Sequence, residues 1–534
     1  MAQVSTCEAG TRCSSLYDIA ALDVEKLGRQ RPVTFKSAYT EVCFCFSLLG
    51  SMFMAEYFVS GFHIILPAIS TALDIPPESQ SWPASVFALI TGAFIFPFGR
   101  LADMHGGHIV FICGLVWFTM WCLIGGFSQS YIMLIWYRAL AGLGPAAFLP
   151  SGIRLIGTFY RPGPRKNLVF SLYGAFAPVG FFTGIFFGGI SGQFLNWPWF
   201  FYFGTILLAI IMATSIFFIP QEGPDKKDTD VKMDWWGLVT IVPGLLLVVF
   251  AITDSAHAPQ VWATPYIIVT FVIGVLCLGA AVYVEGWVAE QPLLPFDLFK
   301  PKSFKPLIVG LFFSYGLWGI YLYYASFYIE LVLGAGTLQT ATWFAPMAAG
   351  GLILATVGGF VLHLLPGKAL IMLSACSNIV CHLLFAIMPE NPNYWAYVFP
   401  AMICTTLGGD ILFSVSNVFI TTNMPRNRQG LGGALINTTL FLGMGFSLGV
   451  ADLAVGSTAH LGRRRSYKTA FWLGVGCAGV AMFMYLFVKI GRAKSDLTVE
   501  ERAQLEAQAE AEAEAGTETE TEMVAAERYG ERGA

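Results

Sequence analysis

The sequence predicts an all-α polytopic membrane protein, and three observations support that prediction. Hydrophobic residues make up 56% of the 534 residues and charged residues only 12%, with a mean hydropathy of +0.65. Fourteen apolar runs, most of them close to the roughly 20 residues that cross a bilayer, follow one another between polar or Pro/Gly-containing breaks. Lys and Arg are concentrated in alternate breaks, as the positive-inside rule requires. We therefore expect a bundle of fourteen transmembrane helices.

The apolar runs also predict the order and the approximate bounds of the helices. The first eight cover residues 42–69, 83–98, 109–127, 132–157, 168–190, 198–219, 235–253 and 263–285. The last six cover residues 306–331, 338–362, 369–388, 395–423, 429–455 and 469–490. We expect each boundary to shift by a few residues, because a hydropathy pattern does not define where a helix ends.

A gap-free internal match relates the fourth apolar run to the twelfth. Residues 143–158, which begin Leu-Gly-Pro-Ala, align with residues 407–422, which begin Leu-Gly-Gly-Asp, and both segments end at Thr. Transporters are often built from repeated halves. The match therefore makes the first six and the last six runs the two halves, with the seventh and eighth runs as an insertion.

These assignments divide the chain into five segments. Residues 1–41 form a polar N-terminal tail without the apolar core of a signal peptide, and residues 42–219 form the N-terminal six-helix half. Residues 220–304 hold the two extra helices with their linkers, and residues 305–490 form the C-terminal half. The acidic Ala-Glu and Thr-Glu repeats of residues 491–534 predict a largely disordered tail. The positive-inside rule places both tails in the cytoplasm.

One basic cluster departs from the alternation. Arg463, Arg464, Arg465 and Lys468 precede the last apolar run, where the alternation requires an outer loop. Either the cluster is an exception on the outer face, or one helix has been miscounted. We favour the exception.

Several functional classes are disfavoured by the same sequence. The net charge is -4 and much of the acidity lies in the C-terminal tail, which argues against a nucleic-acid-binding surface. The eleven cysteines form no disulfide framework and no Cys-x-x-Cys metal pattern. The phosphate-binding loop of ATP-driven pumps does not occur, since Gly367-Lys368 is followed by Ala369. We expect no enzyme activity, no metal, no cofactor and no obligate protein partner.

The break between the second and third runs is a polar hairpin at residues 99–108. Gly99, Gly106 and Gly107 permit a close turn. Asp103 offers a carboxylate that can cap the following helix or bind a guanidinium. We expect this hairpin to hold the two helices side by side.

Charged side chains inside the apolar runs are candidates for proton chemistry, because an ionised group there costs at least about 2.5 kcal/mol. Asp410 lies well within the twelfth run, and Glu56 lies deep in the first. Either carboxyl could take up and release a proton, whereas the alternative for Asp410 is a structural hydrogen bond to Asn417 or to a backbone carbonyl. Arg138, near the outer end of the fourth run, could also be an interfacial anchor.

Three groups of residues carry a resemblance to a known family. Gly99, Leu101, Asp103 and Gly106 match a loop motif between the second and third helices, although its usual basic residues are replaced. The other two groups are a helix-4 motif and part of a helix-5 motif, formed by Tyr137, Arg138, Gly142 and Gly144, and by Gly174, Pro178, Gly180 and Gly184. In the helix-5 motif, Ala177, Phe181 and Phe182 stand where glycines are usual.

These motifs resemble the major facilitator superfamily, in its fourteen-helix drug:proton antiporter branch, with the fungal aminotriazole-resistance type of exporter looking closest. The resemblance implies the major facilitator fold, with two six-helix halves plus two inserted helices. It also implies a role in proton coupling for Arg138, beside Asp410 and Glu56. A substrate cavity is implied between the halves, and its candidate lining residues here are Tyr315, Trp318, Tyr323, Asn417 and Asn437.

Three functions remain open from the sequence. The leading one is proton-coupled efflux of small organic molecules such as drugs, toxins or secondary metabolites, by alternating access. The second is a facilitator or low-affinity importer of a small solute such as ammonium, borate or a sugar, and the third is a transporter-like nutrient receptor. The expected partners are a small-molecule substrate, protons and the lipid bilayer. The expected location is the plasma membrane, with the vacuolar membrane as the alternative.

Overall fold

The computed structural model describes residues 30–76, 79–160, 164–221, 231–255, 258–300, 303–361, 365–423 and 429–489. In these ranges the chain forms fourteen long helices and no strand. Among the described residues alone, thirteen of these helices are long and apolar enough to cross a membrane. The predicted fold class is therefore confirmed.

The helices follow the predicted order closely. The N-terminal six are α1 Ala38–Ala72, α2 Trp82–His105, α3 Gly107–Gly125, α4 Tyr131–Phe159, α5 Pro164–Phe194 and α6 Pro198–Phe218. The inserted pair is α7 Trp235–Ser255 and α8 Pro265–Tyr283. The C-terminal six are α9 Phe304–Phe327, α10 Thr337–Val361, α11 Gly367–Ile387, α12 Tyr394–Asn423, α13 Gln429–Ser457 and α14 Arg463–Leu486. Successive helices alternate in direction, so we refer to the end where α1 begins as the near face and to the opposite end as the far face.

The first helix begins inside the predicted N-terminal tail. Ser37 caps α1, because its hydroxyl accepts a hydrogen bond from the Thr40 amide at 3.2 Å and the Thr40 hydroxyl accepts one from the Ser37 amide at 3.2 Å. The cap satisfies two backbone donors that the helix leaves free. Residues 1–29 and the acidic segment 491–534 lie outside the described residues.

The polar hairpin between α2 and α3 is shorter than its sequence predicts. α2 continues to His105 and α3 begins at Gly107, so only Gly106 separates them. The Gly106 amide donates to the Ala102 carbonyl at 2.9 Å, and its φ of 95° lies in the region that favours glycine. The prediction of a ten-residue break is wrong, because polar side chains at a helix end do not interrupt the backbone hydrogen bonds.

The basic cluster before the last apolar run begins α14 itself. Because the helices number fourteen, Arg463 and its basic neighbours lie at the far face, opposite the start of α1. Arg464 donates to the Met388 carbonyl at 3.1 Å and pairs with Glu390 at 2.9 Å. The alternative of a miscounted helix is wrong, and the cluster ties α14 to the connection between α11 and α12.

The two halves meet along two pairs of helices. α2 packs on α13 and α5 packs on α10. The inserted α7 and α8 pack on each other, and α7 also packs against α2 and α13. One large apolar core combines the N-terminal half with the far-face part of the C-terminal half. The near-face part of the C-terminal half forms a separate core, which includes Leu307, Ile371 and Ile411. The apolar core is therefore continuous between the halves toward the far face.

Glycines bring α1 and α5 into backbone contact. A Cβ on Gly180 would overlap the Phe53 carbonyl, and a Cβ on Gly184 would overlap the Tyr57 carbonyl. Small residues at a spacing of four place the close contact on one face of α5. Gly174, one of the same predicted motif, has no atom within 4 Å of its Cβ position. Gly180 and Gly184 are thus packing residues, and Gly174 is not.

We expect Gly180→Ala to destabilise the detergent-solubilised protein by about 1–3 kcal/mol, because the added methyl has no space against the backbone of α1. The matched control is Gly174→Ala, which should be neutral or stabilising by about 0.5–1 kcal/mol, since alanine loses less backbone entropy in a helix. Thermal unfolding of both variants checks this. Equal melting temperatures would contradict the packing assignment.

Candidate functional site

The two intramembrane carboxyl groups come together between the halves. Glu56 on α1 and Asp410 on α12 are both half-buried, and they are close enough to repel each other electrostatically. No hydrogen bond or ion pair joins either carboxyl to another described side chain. Two residues that are 354 positions apart in the chain therefore form one acidic centre.

Asp410 lies where three helices meet. A Cβ on Gly351 of α10 would be 3.0 Å from its Oδ2 and 3.5 Å from the Cβ of Pro178 on α5. Gly351 thus leaves room for the carboxyl between α5, α10 and α12. Pro178, the proline of the predicted helix-5 motif, therefore lies at the junction of α5, α10 and α12 that holds Asp410.

Trp318 closes the centre from α9. Its indole lies directly against the backbone of Gly409, where no Cβ would fit, and its ring centroid is 5.9 Å from that of Phe181 on α5. The indole Nε1 is buried without a hydrogen-bond partner among the described residues. Trp318 therefore bridges the halves and leaves an unused donor beside the backbone of Gly409, the residue before Asp410.

Two tyrosines accompany the carboxyl groups. Tyr173 on α5 interacts electrostatically with Glu56, and Tyr315 on α9 interacts with Asp410. Both tyrosines are buried, and the Tyr173 hydroxyl has no described hydrogen-bond partner. Sequence analysis missed Tyr173, although a hydroxyl inside the apolar run that carries the helix-5 motif was a usable signal.

The other predicted cavity residues are dispersed. Tyr323 is 4% exposed and stacks on Phe327 at 4.5 Å, and its ring is 6.5 Å from that of His63. It therefore lies in the closed far-face part of the interface. The half-buried Asn437 donates to the Gly433 carbonyl of its own helix at 3.0 Å. The side chain of Asn417 lies outside the described residues.

Arg138 is enclosed by the N-terminal half. It is 1% exposed, and it donates to the Pro83 carbonyl at 2.9 Å and to the Phe58 carbonyl at 3.3 Å. Its guanidinium also lies 3.9 Å and 4.1 Å from the ring centroids of Phe62 and Phe87. The interpretation as an interfacial anchor is wrong, because the charged group does not reach water. Arg138 instead joins α4 to α1 and α2.

The predicted loop motif forms a polar junction at the near face. Asp103 binds the guanidinium of Arg154 on α4 at 2.7 Å, which is the second of the two roles expected for this carboxylate. Leu101 packs against a small cluster of Ala102, Val110 and Ala147, while Gly99 has only Pro150 within 4 Å of its Cβ position. The motif thus joins the near-face ends of α2, α3 and α4.

A second near-face charge cluster was not anticipated from the sequence. Arg165 Nε donates to Glu41 Oε1 at 2.7 Å, and the Tyr160 hydroxyl donates to the same oxygen at 2.9 Å. Glu41 is buried, with 6% of its surface exposed. This cluster joins the near-face ends of α1, α4 and α5, so two sets of polar contacts hold the near face of the N-terminal half.

Comparison with known proteins assigns the architecture. The sequence pattern of the Major Facilitator Superfamily matches residues 48–448. The chain is 30% identical over 453 residues to the efflux pump terJ of Aspergillus terreus, covering 82% of this chain and 86% of that protein. It is 32% identical over 416 residues to the low affinity ammonium transporter of Saccharomyces cerevisiae, covering 76% and 79%.

Two further similarities agree with the family pattern. The aminotriazole resistance protein of Saccharomyces cerevisiae is 30% identical over 481 residues, which cover 87% of this chain and 88% of that protein. A solved structure of an auto-inhibited POT family peptide transporter has a TM-score of 0.58 at 15% identity, covering 85% of this chain and 98% of that one. The sequence similarities confirm the resemblance to drug transporters, and the structural similarity supports the fold alone.

We expect Arg138→Lys to destabilise the protein by about 2–4 kcal/mol, because lysine loses the stacking between two rings and one of the two charged hydrogen bonds. The same change at the exposed Arg465 on the far face is the matched control and should leave the melting temperature unchanged. If the two variants unfold at the same temperature, the enclosed guanidinium does not hold the helices together.

Proposed function

The chain belongs to the major facilitator superfamily, and we propose that it is a proton-coupled exporter of small organic molecules that works by alternating access. The family and the relatives make it an integral multi-pass transporter rather than an enzyme. Proton coupling, the direction of transport and the class of substrate are our proposals.

The acidic centre of Glu56 and Asp410 is the observation that carries the proposal. Each half contributes one carboxyl group, and the two repel each other across the interface. Such a pair favours a state in which at least one carboxyl is protonated. A substrate that enters the centre changes this balance, so binding of substrate and release of a proton become linked.

The contacts between the halves supply the conformational part of the proposal. Toward the far face, the Ser81 hydroxyl of α2 donates to Asp452 of α13 at 2.8 Å, and a Cβ on Gly192 of α5 would contact Thr337 of α10 at 2.6 Å. The continuous apolar core lies at the same end. These contacts support a near-face route to the centre, and in the proposed cycle they separate when the transporter opens the other way.

The orientation of the chain and its membrane are also part of the proposal. The near face, where α1 begins, is the cytoplasmic face, and both chain termini are cytoplasmic, as the Lys and Arg distribution favours. The membrane is the plasma membrane, with the vacuolar membrane as the alternative. Substrate is taken up from the cytoplasmic side in exchange for protons that return along their gradient.

A second candidate is low-affinity transport of ammonium. It rests on the similarity to the low affinity ammonium transporter of Saccharomyces cerevisiae, which is as strong as the similarity to the efflux pump terJ. The acidic centre suits a small cation as well as a proton, because both neutralise a carboxylate pair. The two candidate functions can be distinguished by one observation. Proton-coupled export moves protons across the membrane when the substrate is transported, whereas passage of ammonium through a facilitator does not.

We expect purified protein in proteoliposomes to move protons when a transported compound is added from a panel of azoles, planar aromatics, ammonium and borate. Asp410→Asn and Glu56→Gln should each reduce this substrate-driven flux to the level of protein-free liposomes, because an amide cannot release a proton. The measurement is the fluorescence of a pH dye under an imposed pH gradient.

The matched control for this experiment is Glu290→Gln, which removes one carboxylate from an exposed position on the linker after α8. It should retain the flux of the unmodified protein. Transport of a substrate down its own gradient without proton movement would refute proton coupling and favour a facilitator. Unchanged proton flux in Asp410→Asn would remove that residue from the mechanism.

A further inference from the structure

A large apolar cavity lies outside the acidic centre, between the inserted helices and the interface of the halves. Its volume is about 440 Å³, within the usual range of small-molecule pockets. The walls come from α2, α7, α8, α9 and α13, and include Phe96, Val242, Leu278, Val282, Phe312 and Leu442. Neither Glu56 nor Asp410 lines it. Two lining residues, Val282 and Val309, are 55% and 43% exposed, and both lie in helices that are long and apolar enough to cross a membrane.

Glu285 is the charged residue that lines this cavity. It follows α8 in a π-helical turn, Val284–Val288, and is 6% exposed. Its Oε2 accepts a hydrogen bond from the Leu294 amide at 2.9 Å. Its Oε1 is buried and has no hydrogen-bond partner among the described residues. A buried carboxylate oxygen without a donor is costly, so this oxygen favours either a proton shared with the neighbouring Asp234 or a donor from outside the fold.

A second carboxyl group lies beside Glu285. Asp234 precedes α7 and accepts a hydrogen bond from the Gly237 amide at 2.8 Å through its Oδ1. Its Oδ2 is buried without an assigned donor, and the Glu285 carboxyl lies within hydrogen-bonding reach of Asp234. This oxygen and Oε1 of Glu285 both border the position that a Cβ would take on Gly237. The two oxygens therefore lie next to each other beside Gly237, and Glu285 of this pair lines the cavity.

The nearest cation does not satisfy these acceptors by hydrogen bonds. Arg100 attracts Glu285 electrostatically. Its Nε, however, donates to the Lys232 carbonyl at 3.0 Å, and its Nη2 donates to the backbone carbonyl and the side-chain oxygen of Gln291, each at 3.0 Å. Arg100 thus holds the linkers on either side of the inserted pair and leaves the two carboxyl oxygens open.

We propose that this cavity binds an amphiphilic amine from the bilayer, whose hydrocarbon body fills the apolar walls and whose ammonium group donates to Glu285 and Asp234. An ammonium carries three donors, so it serves both open oxygens and neutralises their charge. An alcohol has one donor and no charge. When no amine is bound, a proton shared between the two carboxyl groups replaces the ammonium group.

The test uses full-length protein in phosphatidylcholine nanodiscs and a dodecylamine derivative with a diazirine near the end of its chain. After irradiation, labelled peptides are mapped by mass spectrometry. We expect labelling of α8, α9 and α13 that dodecylamine displaces and dodecanol does not. Glu285→Gln should weaken this labelling about tenfold or more, because a charged hydrogen bond contributes about 1.5–3 kcal/mol.

Two matched controls separate the carboxyl pair from general effects. Glu290→Gln, five residues later on an exposed position, should leave labelling unchanged. Val282→Trp should block the cavity, whereas Leu276→Trp on the exposed surface of the same helix should not. Equal displacement by dodecanol, or equal labelling of Glu285→Gln, would overturn the proposal and leave a cavity that holds only lipid chains. Because no gradient is applied, this result is independent of proton-coupled export.

Discussion

The low polarity of the bundle interior is the constraint on which the rest of the structure depends, because each charge placed there must be neutralised, bonded or used. The near-face charges are paired, as in the contacts of Arg165 with Glu41 and of Arg154 with Asp103. Arg138 is accommodated by two carbonyls and two aromatic rings. Charges that are satisfied in these ways join helices within one half.

Two pairs of carboxyl groups that form no ion pair with a described side chain lie at boundaries between parts of the bundle. Glu56 and Asp410 belong to different halves, and the charge of Asp410 acts on Glu56. Asp234 and Glu285 face each other where the inserted helices meet the interface of α2 and α13. A group without a protein partner takes a proton or a ligand, so its position at a boundary can link binding to movement. We regard the two pairs as separate sites with the same physical basis.

The predicted helices were accurate because the bilayer sets their length, and an apolar run of that length has few other structures available. The errors occurred at polar ends. Residues 99–105 and 463–468 are polar, yet they continue α2 and begin α14, since a helix satisfies its own backbone whether or not its side chains are apolar. Hydropathy therefore locates the membrane-spanning part of a helix and underestimates its full length.

The sequence by itself determined the fourteen helices, their order and the rarity of charge inside them, because these follow from local composition and spacing. Only the tertiary structure decided which charges are partnered. It placed Arg138 between Phe62 and Phe87, Asp103 on Arg154, and Tyr173 beside Glu56. It also brought Asp234 and Glu285 together beside a cavity. Such pairs depend on the rotation and packing of helices far apart in the chain, which no local pattern records.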